Sequence, residues 1–555
     1  MIIDFDNLTD EQLKIFNSLV SESVEDYNAL SIQLLENGPD TIQWYTHNLT
    51  SRYPVLSNFL YHVKCLNFIN CLLEKGYSIE FIKTSDPILY KTVRSKFVAY
   101  RTRSDLFYVL KLYVNGIKWF LMYFVWCISS LMSRSKDRKD KICSKKKIII
   151  VDTFISKLKD GKYNDRYYGD VFSELEPDVQ DRTFYLPQYL PLPSKKTLDN
   201  ATKKSKENLI FISDFLKVSD YLYSIFSRIV SPGYKKSLNY KGFNLEYVLR
   251  DCERRNFLFG YFCRAQLYER FFLRLNENHV DLRLFIDWFE NQSYDKACYY
   301  ALNKYFPEAK AHGFIGFISH PLDFPEVIAT NDELNKSIAP SKLFVCCKAF
   351  KDLYIKSGYK GMIELAPLFR AQNVWNYHRN PKKAKQIKVL IPLGLIKYEV
   401  HYKINFVVNY LSQGSLDVEF LVKPHPAFDI NDIKRIIPKN ITNISIVEGD
   451  IYSYLMDCDV IMGSNSTTLY EALALGIPVI SVLDSCGKLF INKPLSVKDD
   501  MWYEVIFSTD LSFAIEKIKR LNFSYLVSEG DRIKDYYFEK ISKDKINNLF
   551  DINGI

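Results

Sequence analysis

The chain has 555 residues, too many for one compact core, and this length predicts two to four domains. Hydrophobic residues make up 47%, charged residues 25% and aromatic residues 15%, a composition that excludes disordered, collagen-like and coiled-coil proteins. The 74 lysines and arginines outnumber 65 acidic residues, giving a net charge of +9. This modest excess suits an anionic partner such as a membrane surface, nucleotide phosphates or nucleic acid.

The 11 cysteines are scattered and form no C-x-x-C pair, so neither a disulfide framework nor a zinc ribbon is predicted. The N-terminus lacks a basic stretch followed by an apolar one, the pattern of a secretory signal. We therefore expect the chain in a reducing cytosol. Residues 1–106 predict a mostly helical α/β part with one strand at 78–84, which would form a first βα unit.

The next segment, residues 107–147, combines an apolar stretch with a basic one. Residues 107–132 are long enough to span a bilayer, but Lys111, Asn115 and Lys118 fall on one helical face. This spacing favours a helix in the membrane interface, or a helical hairpin, over a transmembrane span. Basic residues at 134–147 would contact an anionic leaflet. The alternative is a buried core helix followed by a solvated linker.

Residues 148–385 predict an α/β region. Apolar runs of strand length lie at 147–155, 208–215 and 282–290, and helical segments rich in Tyr, Phe and Arg separate them.

From residue 386 to residue 525 strands and helices alternate more regularly. We predict strands at 387–394, 417–426, 443–449, 458–464 and 477–484, with helices at 398–413, 431–438, 451–457 and 466–476. Buried strands that alternate with helices predict a doubly wound parallel sheet. A C-terminal helix is expected at 526–555.

Ligands of parallel sheets bind beyond the carboxyl ends of the strands. Three predicted loops there carry suitable side chains: Lys423 to Pro426, Glu448 to Asp450, and Gly463 to Thr468. The third loop opens into a helix, whose N-terminal N–H groups favour a phosphate. The alternative is that Ser464 or Ser466 only caps that helix. The combination of Lys423 and His425 with this helix start predicts a phosphate site.

The motifs KPHP (423–426) and GSNSTTLYEALALGIPVI (463–480) resemble the donor site of GT-B glycosyltransferases of bacterial capsule and lipopolysaccharide assembly. The likeness is to Kdo transferases and bacterial sialyltransferases, whose His-Pro and Ser-Ser/Thr motifs hold a CMP-sugar. It covers residues 386–495, roughly a fifth of the chain. The resemblance implies two Rossmann-like domains facing across a cleft, with the donor domain at 386–525 and the acceptor-side domain at 148–385.

The resemblance also implies roles for individual residues. His425, Ser464, Ser466 and Thr467 would contact the nucleotide phosphate, and Lys423 would support them. Glu471 would hold a ribose hydroxyl, although Glu-Ala-Leu followed by Gly-x-Pro also occurs in GT-B enzymes that use UDP- or GDP-sugars.

The acceptor-side domain would supply the base of an inverting transfer, a carboxylate at a strand end. Glu290 is our first choice, since it ends a predicted strand beside Asn291 and Gln292 in a pattern that resembles Glu-Asn loops of capsule transferases. Asp165 is second, and Arg166 beside it would grip an anionic acceptor. The alternative for either carboxylate is a surface residue or a local ion pair.

Some signals we discount. Asp457-Cys458-Asp459 matches a metal-binding D-x-D, but it precedes its strand and would lie at the wrong edge of the sheet, so no metal or other cofactor is predicted. The basic stretch lacks a recognised nucleic-acid module, and no nucleic-acid partner is predicted.

The sequence thus predicts an inverting, metal-independent glycosyltransferase at the cytoplasmic face of the inner membrane, peripheral or monotopic. It would transfer a sugar from a nucleotide-sugar, of the CMP-Kdo or CMP-sialic acid type, to a surface polysaccharide or lipid-linked glycan. Two alternatives stay open. One is glycerol phosphate transfer from CDP-glycerol, and the other is a non-catalytic polysaccharide-assembly protein that keeps the fold.

Overall fold

The computed structural model describes residues 1–102, 104–155, 163–189, 194–230, 233–234, 237–320, 322, 325–379, 386–394, 397–414, 418–425, 428–439, 441–464, 466–482 and 493–552.

The N-terminal part is a small parallel sheet wrapped by helices. Its strands pair in the order β1 (Ile2–Asp4), β2 (Phe81–Thr84) and β3 (Ala99–Arg101), so the strand expected at 78–84 begins at Phe81. The helices are α1 (Asp10–Ser18), α2 (Val20–Asn37), α3 (Ile42–Tyr45), α4 (Phe59–Glu74) and α5 (Pro87–Val93). A 3₁₀ turn covers Pro54–Leu56. The rings of Phe5, Phe16 and Phe68 meet edge to face in its core.

The apolar segment is one continuous helix, α6 (Asp105–Met132), and not a hairpin. Among the described residues it is the helix long and apolar enough to cross a membrane, with a mean hydropathy of 1.2. The basic stretch after it contains helix α7 (Lys136–Cys143). Arg138 of this helix is buried and forms ion pairs with Asp214 at 2.8 Å and Asp199 at 2.6 Å. Part of the predicted basic linker therefore belongs to the folded domain.

The middle region contains a seven-stranded parallel sheet in the order β12–β11–β10–β9–β4–β5–β6, here called the middle sheet. Strands in this region, including the antiparallel hairpin β7–β8, are β4 (Ile148–Ile155), β5 (Thr183–Tyr189), β6 (Asn208–Leu209), β7 (Asn239–Tyr240), β8 (Phe243–Asn244), β9 (Leu282–Trp288), β10 (Lys310–Ile315), β11 (Lys342–Val345) and β12 (Met362–Leu365). The run at 208–215 is a strand only at its start, because a 3₁₀ turn at Ile212–Asp214 replaces the rest.

Helices cover both faces of the middle sheet. The helices of the middle region are α8 (Val171–Glu174), α9 (Pro177–Arg182), α10 (Lys195–Lys204), α11 (Val218–Val230), α12 (Glu246–Phe259), α13 (Tyr261–Glu277), α14 (Ser293–Tyr305), α15 (Asn331–Asn335) and α16 (Lys348–Lys356). Of these, α12 packs on α6 and on the N-terminal part. In β4, Ile148 and Ile150 enter one hydrophobic cluster and Ile149 and Val151 enter another. The near-continuous apolar sequence of β4 follows from this burial on two sides.

A six-stranded parallel sheet, the C-terminal sheet, has the order β15–β14–β13–β16–β17–β18. Its strands are β13 (Ile387–Pro392), β14 (Val418–Lys423), β15 (Ile444–Ile446), β16 (Val460–Gly463), β17 (Val479–Val482) and β18 (Trp502–Val505). Its helices are α17 (Lys397–Ser412), α18 (Ile430–Ile436), α19 (Ile451–Leu455), α20 (Thr467–Ala474) and α21 (Ser508–Ile518). All five predicted strands and all four predicted helices of this region are present.

The chain then returns to the middle sheet. Where one terminal helix was expected, there are two, α22 (Phe523–Tyr537) and α23 (Lys543–Leu549). The Leu549 carbonyl lies 2.8 Å from His312 Nδ1, and Asp551 forms ion pairs with Arg283 and Lys310. Two parallel α/β sheets open their carboxyl ends on one cleft. The α/β class and the GT-B-like two-domain arrangement predicted from the sequence are confirmed.

Candidate active site

A cavity of about 530 Å³ lies between the carboxyl ends of the two sheets. From the middle region it is lined by Arg166, Tyr167, Glu290, Phe317, Ile318, Ser319, His320 and Arg370. From the C-terminal sheet it is lined by Pro392, Leu393, Lys423, Pro424, His425, Gly449, Asp450, Ile451, Ser464, Ser466, Thr467, Thr468, Leu469, Tyr470 and Trp502. The structure therefore brings together seven of the nine predicted site residues, on both walls of one cavity.

On the C-terminal wall, Lys423 is the last residue of β14 and His425 lies two residues beyond it; the His425 carbonyl accepts a hydrogen bond from the Phe428 N–H at 2.8 Å. The proline before His425 has a fixed φ, which restricts the backbone at this strand end. Pro426 and Asn465, the remaining residues of the two motifs, lie outside the described residues.

The hydroxyls that precede α20 have local partners. Ser466 caps α20, since its Oγ accepts a hydrogen bond from the Thr468 N–H at 3.2 Å. The buried Ser464 hydroxyl donates to Glu399, which also pairs with Lys403. A hydroxyl has one proton to donate, so Ser464 in this geometry holds the turn in place. For a ligand phosphate this wall offers the Ser466 hydroxyl and the positive end of α20.

Thr467 has a role that the sequence did not suggest. Its Oγ1 donates to the Ile318 carbonyl at 3.1 Å, across the cleft from the C-terminal wall to the loop after β10. This hydrogen bond joins the two walls directly beside the cavity. The hydroxyl proton of Thr467 is therefore used between domains in this state and not toward a phosphate.

On the opposite wall, Glu290 lies just beyond the end of β9. Its Oε1 accepts a hydrogen bond from Trp288 Nε1 at 3.0 Å, and its Oε2 accepts one from Gln292 Nε2 at 2.5 Å. Burial raises the pKa of the Glu290 carboxyl, while the nearby charge of Arg370 lowers it. The two hydrogen bonds orient the carboxylate, and the raised pKa makes it a stronger base than an exposed glutamate.

The residue after Glu290 fixes the turn that presents it. Asn291 adopts a left-handed backbone with φ of 56°, which asparagine tolerates better than most residues. Its Nδ2 donates to the Glu326 carbonyl at 2.8 Å and to Glu333 Oε2 at 3.1 Å. Glu333 in turn pairs with the buried Arg52. A buried polar network that reaches the N-terminal part thus supports the Glu290 loop.

Asp165, the second predicted base, does not line the cavity. It is buried, its Oδ2 accepts hydrogen bonds from the Tyr163 and Thr153 hydroxyls, and its Oδ1 accepts from the N–H groups of Tyr167 and Tyr168 at 2.7 and 2.8 Å. With four donors around it, the Asp165 carboxylate shapes the turn that carries Arg166 and Tyr167. This geometry favours the local structural alternative for Asp165.

Glu471 also lies outside the cavity wall, buried on the inner side of α20. Burial raises the pKa of its carboxyl, and the charges of Arg370 and Arg166 lower it. Its predicted contact with a ribose hydroxyl stays a prediction.

Sequence reasoning did not find Arg370, His320 or Trp502, which also line the cavity. Arg370 belongs to a 3₁₀ turn at Phe369–Trp375 after β12, a strand of only four residues. The short strand gives little period-two pattern, so its carboxyl end could not be located from the sequence. The D-x-D carboxylates precede β16, at the end of the strand away from the cavity, and Asp457 pairs there with Lys388 at 2.7 Å.

Behind Glu290 lies a cluster of three buried carboxyls, Asp152, Asp287 and Asp295. Burial raises the pKa of all three, and that of Asp287 rises to about 8. Asp152 accepts hydrogen bonds from Gln188 Nε2 at 3.2 Å, and Asp295 accepts from the Glu290 and Gln292 N–H groups. The cluster therefore supports the Glu290 loop from below.

We expect Asp287→Asn to raise the melting temperature at pH 7.5 and to leave it unchanged at pH 4. In the unfolded chain Asp287 ionises near its ordinary pKa of 3.8, but in the folded chain only near 8. Burial of Asp287 therefore costs the wild type no stability below pH 4, and it lowers the free energy of unfolding progressively as the pH rises toward 8. Each pKa unit is worth about 1.4 kcal/mol, so we expect a gain of roughly 3 °C or more.

Thermal unfolding from pH 4 to pH 8 measures this effect. Exposed Asp499→Asn is the matched control and should follow the wild-type curve. Parallel pH profiles for wild type and Asp287→Asn would contradict the expected burial of a neutral carboxyl.

The chain is similar to several solved structures at low identity. UDP-GlcNAc 2-epimerase from Neisseria meningitidis, bound to UDP-GlcNAc, is 10% identical over 74% of this chain and 98% of that chain, with a TM-score of 0.41. A glycosyltransferase from Rickettsia africae ESF-5 is 11% identical over 74% and 97%, with a TM-score of 0.40. UDP-GlcNAc 2-epimerase from Methanocaldococcus jannaschii is 13% identical over 70% and 98%, with a TM-score of 0.36.

No protein-family model and no curated protein matches the chain. Identities of 10 to 13% do not transfer an activity from those proteins to this chain.

Proposed function

We propose that the protein is an inverting glycosyltransferase that uses a nucleotide-sugar donor. One observation supports this above all: Glu290, a half-buried carboxyl oriented by two hydrogen bonds, lines the same cavity as His425 and the N-terminus of α20, from the opposite wall. A base and a phosphate site on facing walls of one cleft are what an inverting transfer requires.

In the proposed reaction, the nucleotide phosphate binds the C-terminal wall and the acceptor hydroxyl approaches Glu290. The acceptor oxygen attacks the anomeric carbon and forms the new glycosidic bond, while the bond from that carbon to the phosphate oxygen breaks. Glu290 takes the hydroxyl proton. The electron pair of the broken bond leaves with the nucleotide phosphate, whose charge is stabilised by His425, Lys423 and the positive end of α20.

Thermal-shift measurements with CMP, CDP, UDP and GDP test the donor site. A nucleotide at 100 times its dissociation constant raises the free energy of unfolding by about 2.7 kcal/mol, which gives a clear rise in melting temperature. The absence of a shift with all four would favour a non-catalytic protein. Product analysis then separates sugar transfer from glycerol phosphate transfer, because only the latter keeps a phosphate in the new linkage.

We further propose that the enzyme acts at an anionic membrane surface, with helix α6 lying in the interface. The helix is held to the protein along most of its length. The Tyr108 hydroxyl donates to Asp251 at 2.8 Å, Gly116 packs so closely on Leu258 that a Cβ would come within 2.8 Å, and Ser130 Oγ lies 2.7 Å from the Tyr221 hydroxyl. A helix anchored near both ends lies along the domain and does not leave it.

The opposite side of α6 carries an exposed apolar stripe. Its members are Leu110, Val114, Ile117, Leu121, Val125, Ile128 and Met132, each at least 44% exposed. They follow the three- and four-residue spacing of one helical face, and the neighbouring helix α11 exposes Leu222, Phe226 and Ile229. Lys111 and Lys118 are exposed beside the stripe. An apolar surface flanked by lysines fits the boundary between acyl chains and anionic headgroups.

We expect Ile117→Asp/Leu121→Asp to lower binding to vesicles of phosphatidylglycerol and phosphatidylcholine at least tenfold. Each buried side chain of this size contributes about 1.5 to 3 kcal/mol. Ile355→Asp, at an exposed position on α16, is the matched control and should bind as wild type. Flotation of the full chain measures this. Equal binding by the double variant, at an unchanged melting temperature, would overturn the proposal.

A further inference from the structure

Two arginines on the Glu290 wall form no ion pair with any of the described residues. Neither Arg166 nor Arg370 forms a hydrogen bond or an ion pair with any residue in the described part of the chain, although both line the cavity. Arg166 is exposed and Arg370 is half-buried, and two buried arginines elsewhere in the chain show the contrasting, ion-paired arrangement. Arg52 binds Glu333 at 2.8 Å, and Arg274 binds Asp220 at 2.6 Å. The arginine pair (Arg166 and Arg370) thus presents two guanidinium groups to the candidate active site without carboxylate partners among the described residues.

The two guanidinium groups are close enough to affect each other. Burial and the charge of Arg166 lower the pKa of Arg370. Glu471 and Glu290 are the acidic groups that interact with Arg370 at longer range, without an ion pair. Two like charges placed together in a partly buried wall are unfavourable for the free protein. A bound anion would offset this repulsion and would accept hydrogen bonds from the N–H groups of both guanidinium groups.

The turns that carry these arginines are well fixed. The Asp165 carboxylate accepts hydrogen bonds from the backbone on the far side of Arg166, at Tyr167 and Tyr168. The 3₁₀ turn of Arg370 is tied to the segment after α22, because the Leu368 N–H donates to the Glu539 carbonyl at 3.1 Å. The guanidinium groups are therefore held on a supported backbone, as a specific binding site requires.

We propose that the arginine pair binds one oxyanion of the ligand, a carboxylate or a phosphate, beside Glu290. Paired guanidinium groups match the geometry of both anions. The nucleotide phosphate belongs to the facing wall, so this anion lies on the transferred sugar or on the acceptor. The inference rests on the proposed function, since that function places both reacting groups in this cavity. Its consequence is a preference for an acidic donor sugar or a phosphorylated acceptor over neutral ones.

The experiment measures thermal shifts of the full chain with two anionic probes, N-acetylneuraminate and glycerol 3-phosphate, at matched ionic strength. N-acetylmannosamine is the neutral probe. Wild type, Arg166→Gln, Arg370→Gln and the exposed control Arg250→Gln are compared. We expect one anionic probe to stabilise wild type and Arg250→Gln, and its apparent affinity to fall about tenfold or more in each of the other two variants. A response to the acidic sugar assigns the anion to the donor, and a response to glycerol 3-phosphate assigns it to the acceptor.

Two further readouts separate this site from a structural role and from the donor site. Removal of one repelling charge should leave the melting temperature without ligand unchanged or higher, and Arg370→Lys should recover part of the anion response. Wild-type anion affinity in both glutamine variants, or no response of wild type to either anion, overturns the inference. Thermal shifts produced by CMP and UDP, measured in parallel, report on nucleotide binding at the His425 wall. If neither nucleotide shifts the melting temperature of wild type, that result counts against the proposed function alone.

Discussion

Glu290→Gln should lower kcat about 10²- to 10⁴-fold, the range by which general bases accelerate reactions. The amide matches the carboxylate in shape and can still accept a hydrogen bond from Trp288 Nε1 or Gln292 Nε2. It cannot take the proton of the acceptor hydroxyl. We therefore expect the lost activity to appear in the chemical step and not in donor binding.

The pH profile provides a second readout. Glu290 acts as a base only when ionised, and burial raises its pKa above the ordinary value of 4.5. Activity should therefore fall as the pH drops through this raised pKa, and the falling limb should be absent from the residual activity of Glu290→Gln.

Nucleotide thermal shifts are the control, and they should be equal in wild type and Glu290→Gln because the nucleotide binds the other wall. Removal of a buried carboxyl should leave the melting temperature equal or higher. More than a tenth of wild-type turnover in this variant would remove Glu290 from the mechanism.

Most of the C-terminal domain could be predicted from the sequence. Strands β13 to β17 are short apolar runs that alternate with helices, and polar residues such as Lys423, His425 and Ser466 lie at their carboxyl ends. Strand β18, whose sequence WYEV is not an apolar run, and helix α21 were not predicted. Because parallel strands bring their carboxyl ends to one edge, sequence order was enough to gather these side chains. Glu290 was found by the same rule.

The middle domain was harder to predict. Strand β5 contains Pro187 and Gln188, and β10 contains His312 and Gly313, so neither shows an uninterrupted apolar run. Without these strands, the loops between them could not be assigned to the carboxyl edge of the middle sheet, and Arg370 was not predicted as a site residue. The hydrogen bonds between polar side chains were also not predicted. Nothing in the local sequence shows that Asp165 is enclosed by donors or that Thr467 bonds across the cleft.

His425→Ala should lower kcat/KM for the nucleotide-sugar about 10- to 100-fold and reduce the thermal shift produced by the matching nucleotide. The change removes a side chain from the turn after β14 while the backbone hydrogen bond from the Phe428 N–H to the His425 carbonyl can still form. A hydrogen bond to a charged group contributes about 1.5 to 3 kcal/mol, which sets this range.

The exposed His378→Ala is the matched control, since it also removes an imidazole but outside the cavity lining. It should keep wild-type turnover and nucleotide response. If His425→Ala behaves in the same way, the nucleotide phosphate does not bind at the end of β14. If Glu290→Gln is inactive in that same experiment, the cavity still catalyses the transfer, and the nucleotide phosphate then binds cavity residues other than His425.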